Sequence, residues 1–310
     1  MKNQPFANRL SRFLTVSLKG ISQVILLENA VTGAIILLAI MLSSFSLGVI
    51  ALLSSMLGTL LGKFGGADED IIDQGLFGFN SVLTGMALFL FLTGPSHWIF
   101  SLLGALLAAI VTASLMHVFK KMGIPVLTFP FIILTLFTLL LSYRLSTIHT
   151  SKALVPQSLS QWKLDISGPY NIVEGIFTGI GQVFFLDYTL SGVLLFIAVF
   201  WAGWRPGLFA FLGNAAALLT ALAFGAERSL IFIGLYGYNG ILTAIAVSII
   251  FNTKKQRSTY VTGIVAAAFT VPVAASLHTW LLPFGLPPLT MPFVLSTWIF
   301  ICARKVLPNL

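Results

Sequence analysis

Apolar blocks separated by short polar breaks fill most of this chain. They fall at about 30–45, 47–62, 75–93, 97–119 and 127–144, and again at about 188–203, 206–225, 229–251, 259–280 and 289–305. A helix needs ~20 predominantly apolar residues to cross a bilayer, so each block reads as a transmembrane helix. A shorter segment precedes each set. Residues 8–22 place Leu10, Phe13, Leu14, Leu18 and Ile21 on one helical face, with Arg9, Arg12 and Lys19 elsewhere; 169–181 are similar, with Ile172, Val173, Ile176 and Phe177. Too short to cross, these two read as re-entrant or interfacial helices. The predicted fold is an all-α polytopic membrane protein in two inverted-repeat halves, residues 1–150 and 169–310. Each half has about five transmembrane helices plus one short re-entrant pore helix, and a loop over 151–168 joins them.

The halves are copies. Gly20-Ile21-Ser22-Gln23-Val24 matches Gly179-Ile180-Gly181-Gln182-Val183, and Phe79-Asn80 matches Tyr238-Asn239. Five crossings per half is an odd number, so the second copy enters from the opposite face and the symmetry axis lies in the membrane plane. The basic residues agree. One side gathers Lys2, Arg9, Arg12, Lys19, Lys63, Lys120, Lys121, Arg205, Lys254, Lys255, Arg257, Arg304 and Lys305; the other has Arg144, Lys152, Lys163 and Arg228. Positive charge favours the cytoplasm, which puts both termini there. Trp98, Trp201, Trp204 and Trp280 fall near span ends, as interface anchors do.

Composition narrows the function. With 57% hydrophobic and 8% charged residues there is no room for a soluble domain, and the +8 charge is scattered between spans, which argues for topology signals and against nucleic acid. Cys302 is alone, so neither an intrachain disulfide nor a thiolate metal cluster is available. The basic, apolar start has no small-residue cleavage site after it and has a counterpart in the second half, unlike a signal peptide. The acids of the 63–74 loop, Asp68, Glu69, Asp70 and Asp73, lack the alternation of a calcium loop and read as a solvated connection. Nucleophile-elbow, zinc-protease and phosphate-loop motifs are all missing, so no enzyme, cofactor or metal is expected.

The candidate chemistry lies in a second repeated stretch. Ile124-Pro125-Val126-Leu127-Thr128-Phe129-Pro130-Phe131 recurs as Leu286-Pro287-Pro288-Leu289-Thr290-Met291-Pro292-Phe293. Proline lacks an N–H and disfavours helix in the residue before it, so Pro130 and Pro292 predict a non-helical mouth with the carbonyls of Val126 and Pro288 left bare. Such backbone survives at membrane depth only when it is buried in protein or lines a polar cavity. Three pairs of uncharged polar residues recur at equivalent depth: Gln23 with Gln182, Asn80 with Asn239, and Thr128 with Thr290.

This constellation closely resembles the urea transporter family, which is marked by a duplicated motif of the form LPxxTxPF. Residues 286–293 match it fully, and 124–131 match with Ile124 for the leading Leu. The resemblance covers nearly the whole chain. It implies a homotrimer in the lipid bilayer, one pore per protomer, and passive permeation of urea through a narrow filter between the halves. Urea is flat and neutral, with N–H donors on its edges, so a slot for it needs apolar walls and a line of acceptors. Phe79 and Tyr238 are the expected walls of the two ends, faced by Val24, Leu26, Val183 and Phe185. Gln23 and Gln182 would offer oxygens at the mouths. Thr128 and Thr290 would meet in the middle, flanked by Leu83 and Leu242. Asn80, Asn239, Pro125, Pro130, Pro287 and Pro292 would shape the filter. Tyr238, Leu26, Ser81 and Ala244 depart from the family pattern. The lack of added soluble domains suggests a bacterial inner-membrane protein.

Two alternatives use other residues. Glu28 and Asp187 align, each just before a span, where a carboxylate caps a helix or carries a coupling ion in an ion-driven transporter. His117 and His278 sit at similar depths in the fourth spans, as in an ammonia or short-amide channel, or as satisfied structural histidines.

Overall fold

The computed structural model describes residues 6–167, 170–252 and 257–310; the predicted start of the second short segment at Pro169, and Lys2, Lys254 and Lys255, lie outside them. The first half runs α1 (Phe6–Ser22), α2 (Ala30–Ser43), α3 (Phe45–Phe64), α4 (Glu69–Asp73), α5 (Gly78–Phe91), α6 (His97–Met122) and α7 (Phe129–Ser142). The second runs α8 (Ile172–Gly181), α9 (Thr189–Ala202), α10 (Trp204–Ala223), α11 (Arg228–Phe232), α12 (Gly237–Ile245), α13 (Arg257–Leu281) and α14 (Met291–Ala303). Among the described residues the only strands are β1 (Leu92–Thr93) and β2 (His149–Thr150), paired antiparallel. The protein is an all-α polytopic membrane protein.

Local chemistry sets the breaks. Asn29 caps α2 through the Thr32 N–H at 3.0 Å, and Ser44 caps α3 through the Leu47 N–H at 3.4 Å. Helices α3, α6, α10 and α13 have 20, 26, 20 and 25 residues, which at ~1.5 Å per residue is enough to cross the hydrocarbon. Helices α5, α7 and α14 have 14, 14 and 13 residues, and stop part-way. Each short segment bends into the span after it: α1 meets α2 at 76° and α8 meets α9 at 75°. The hinge is a 3₁₀ turn, Gln23–Ile25 or Gln182–Phe184, closed by a left-handed residue, Leu26 (φ 62°) or Phe185 (φ 59°).

Two predicted spans are shorter than expected. The 75–93 block becomes helical only at Gly78, and 229–251 splits into α11, a turn and α12, which ends in a π-helical turn at Ala246–Ile250. The cause of the split is Gly234, whose φ of 91° and contact with the Gly179 backbone exclude helix and side chain alike. The 63–74 loop contains α4, whose acids are drawn to α1: Arg12 bonds Glu69 at 3.0 Å and Asp73 at 2.6 Å.

The halves clamp each other at equivalent places. The Tyr143 hydroxyl donates to the Phe284 carbonyl at 2.9 Å, and Lys305 Nζ donates to the Met122 carbonyl at 2.7 Å. Each bond runs from the end of one half's last helix to the turn that follows the other half's fourth span. Thr32 Oγ1 donates to the Ala198 carbonyl at 3.1 Å where α2 crosses α9. Outward faces keep exposed apolar side chains such as Leu107, Phe137, Leu219 and Val265, and Trp98, Trp201, Trp204 and Trp280 are exposed at or near helix ends.

Ser81 and Ala244, two departures from the repeat, face α3 and α10. A Cβ on Gly85 would lie 2.0 Å from Ser54 Oγ, and one on Gly213 would lie 2.5 Å from Ala244 Cβ. A Cβ on Gly58 would strike Ser81 Oγ at 2.7 Å, and one on Gly240 would strike Ala217 Cβ at 2.7 Å. Each of these contacts therefore joins one glycine to one small residue, and the halves reverse which helix holds which. Gly85→Ala alone is expected to lower thermal stability in detergent by about 1–3 kcal/mol through overpacking. Ser54→Gly combined with Gly85→Ala, the arrangement of the second half, is expected to recover most of that loss; thermal melts of the single and double variants give the coupling.

Candidate functional site

The two proline-threonine stretches are the starting point. Residues 124–128 and 286–290 are non-helical, as predicted, but Pro130 and Pro292 occupy the first turns of α7 and α14. There a missing N–H costs nothing, so the prolines start helices. The carbonyls predicted to be bare are not. The Val126 carbonyl receives the Phe129 N–H at 3.3 Å, and the Pro288 carbonyl receives the Met291 N–H at 3.1 Å. Each turn closes through a left-handed leucine, Leu127 or Leu289, both at φ 52°. A left-handed residue with a side chain costs ~1–3 kcal/mol and persists only where its surroundings enforce it.

Buried polar side chains supply that enforcement, and on the Leu289 carbonyl the donor is the Tyr238 hydroxyl. Asn80 Nδ2 donates to the Leu127 carbonyl at 3.3 Å and to Thr112 Oγ1 at 3.1 Å, while its Oδ1 accepts from the Phe131 N–H at 3.4 Å. Asn239 Oδ1 likewise accepts from the Phe293 N–H at 3.1 Å. Trp298, which sequence reasoning missed, adds a tie between the halves: its indole N–H donates to the Pro125 carbonyl at 2.8 Å. A lone tryptophan within an apolar block gives no sequence signal of such a role.

The turns meet at the centre. Thr128 Oγ1 and Thr290 Oγ1 are 2.6 Å apart and buried. One hydroxyl donates to the other, so the accepting threonine keeps its own proton as a donor and the donating one keeps lone pairs. The pair thus offers both a donor and acceptors, and reversing the bond exchanges the roles.

Around it, one continuous buried cluster contains Val24, Phe79, Leu83, Val183, Tyr238 and Leu242, with Leu26 and Phe185 packed at its edge. The Phe185 ring crosses to the first half, edge-on to Phe91 at 5.7 Å and to Phe131 at 6.5 Å. Gln23 and Gln182 are half-buried at the two hinges. Gln23 Nε2 donates to the Gln74 carbonyl at 3.0 Å, and Gln182 Nε2 donates to Asp187 Oδ1. Both partners accept only, so each amide nitrogen spends one of its two N–H groups there, while each Oε1 keeps its acceptor character.

The carboxylates do not cap helices. Glu28 pairs with Lys19 Nζ at 2.7 Å, Asp187 holds Gln182, and the cap of α2 is Asn29; the carboxylates stand one residue too early to reach the first-turn N–H groups. The histidines lie elsewhere as well. His117 is exposed on α6, and His278 lines a separate cavity of about 290 Å³ with Glu227, Tyr236 and Trp162.

A family model described as urea transporter matches residues 14–305. The chain belongs to the urea transporter family. Relatives over most of its length include urea transporter 1 of Ovis aries, 25% identical over 323 residues, covering 100% of this chain and 81% of the relative. Urea transporter 1 of Rattus norvegicus is 24% identical over 304 residues, covering 96% and 79%. Asn80 makes three buried hydrogen bonds and Asn239 one, so Asn80→Ala is expected to cost about 2–4 kcal/mol of stability and Asn239→Ala about half as much or less. Thermal unfolding in detergent measures the difference; equal losses would contradict the assigned bonds.

Proposed function

We propose that this chain is a passive, selective urea channel of the bacterial inner membrane. It works as a homotrimer with one pore per protomer and both termini in the cytoplasm, and its halves, 1–150 and 169–310, are inverted repeats. The observation that carries this reading is the buried Thr128–Thr290 hydrogen bond, where the two proline-threonine turns meet in a chain of this family.

Urea loses its water on entering an apolar slot, and each unreplaced hydrogen bond costs several kcal/mol. Gln23 Oε1 and Gln182 Oε1 take the first N–H groups at the two mouths. The walls, Phe79 with Val24 and Leu26 at one end and Tyr238 with Val183 and Phe185 at the other, cover the faces of the flat solute, which are weakly hydrated. At the centre the threonine pair meets urea's N–H groups with lone pairs and its oxygen with the spare hydroxyl proton. Leu83 and Leu242 hold the solute against that line. Neutral groups bind urea shallowly at every station, as release requires.

Passive movement fits the charges. No Asp, Glu, His, Lys or Arg is among the buried residues described, and Glu28 and Asp187 are exposed and engaged, so neither is placed to bind a coupling ion inside the filter. The test is stopped-flow light scattering of proteoliposomes in an imposed urea gradient, beside empty liposomes. Thr128→Val with Thr290→Val is expected to lower urea flux per folded protein by about tenfold or more, because the buried centre then offers no hydrogen bond. Unchanged flux in the double variant would reject this filter, and accumulation that an ionophore abolishes would reject passive movement.

A further inference from the structure

The two filter ends differ at one bond. In the first half the Asn80 amide nitrogen holds the Leu127 carbonyl. In the second, the Tyr238 hydroxyl donates to the Leu289 carbonyl instead. Asn239 keeps its bond to the Phe293 N–H, but its Nδ2 holds no carbonyl and has the Tyr238 hydroxyl as its polar neighbour, although the residue is fully buried. The second acceptor of the first half is missing too, since the position of α13 that matches Thr112 at the offset of the two asparagines is Val271, buried and apolar. The second half alone has a phenol on the carbonyl that an amide holds in the first, and its own amide is left with the weaker arrangement.

Resting on the urea-channel reading, we propose that Tyr238 is the specificity-determining residue of the filter and makes the second-half end its tighter one. Phe79 is held by packing alone, so its ring can tilt away from a bulky solute at small cost. Tyr238 is tethered to the residue before Thr290. Its ring yields only by breaking a buried hydrogen bond and exposing both an unpaired hydroxyl and an unpaired carbonyl. The donating phenol also keeps lone pairs on its oxygen, a further acceptor for a solute N–H. A site that pairs with an N–H discriminates against an analogue carrying an alkyl group there, because the buried oxygen then faces carbon. The end built on Tyr238 therefore selects small planar amides with unsubstituted NH₂ groups over N-alkylated ones.

The experiment compares the permeability of N-methylurea with that of urea in proteoliposomes of the wild type, Tyr238→Phe and Tyr238→Met. Tyr238→Phe frees the Leu289 carbonyl for Asn239 Nδ2, the arrangement Asn80 already has, and Tyr238→Met removes the hydroxyl by a different side chain. Both are expected to raise the N-methylurea to urea ratio by about tenfold, the scale of one lost polar discrimination. An unchanged ratio in variants that still conduct urea would overturn the assignment to Tyr238 and leave the channel reading standing. A wild type no faster for urea than empty liposomes would overturn both.

Discussion

Backbone that leaves the helix inside a membrane must have its polar groups satisfied by the protein, and this structure is arranged around meeting that demand. Four left-handed residues mark the places: Leu26 and Phe185 at the hinges, Leu127 and Leu289 in the proline-threonine turns. At the proline-threonine turns the donors come from elsewhere in the bundle. Asn80, Trp298 and Tyr238 reach carbonyls there, and Asn80 and Asn239 accept the N–H groups at the starts of α7 and α14. Any one of these turns alone would be a costly defect; together they bring Thr128 and Thr290 into contact.

Symmetry is kept in geometry more strictly than in residue type. Ser54 with Gly85 becomes Gly213 with Ala244, and Gly58 with Ser81 becomes Ala217 with Gly240, so close helix contacts survive with small residue and glycine exchanged. Tyr143 in one half does with a hydroxyl what Lys305 does with an ammonium in the other. Packing constrains the summed volume at a contact, and capping constrains the presence of a donor; neither dictates which partner supplies it. The exchange of Asn80's amide for Tyr238's hydroxyl follows the same logic, except that it leaves an amide nitrogen behind.

Much of the architecture was legible as pattern. Apolar blocks, the repeat offset and the paired Gln, Asn and Thr residues all follow from period and recurrence, which local chemistry writes directly into the chain. The misreadings share one cause. Pro130 and Pro292 were expected to expose carbonyls, because a proline in the sequence does not say whether it stands inside a helix or in its first turn. Glu28 and Asp187 were expected to cap helices, because a one-residue difference at a hinge decides whether a carboxylate reaches the N–H groups or a neighbouring lysine or glutamine.

By itself the sequence determined a helical membrane protein made of two related halves, with three pairs of neutral polar residues recurring at equivalent positions. Repetition and hydrophobic period are properties of the chain alone, so they survive without coordinates. Only the tertiary structure decided which carbonyl each amide holds, that the threonines touch, and that the phenol of Tyr238 has taken the place of its neighbour's amide. Those are choices among partners of similar chemistry, and differences of a few tenths of an ångström in the distances between residues far apart in sequence settle them.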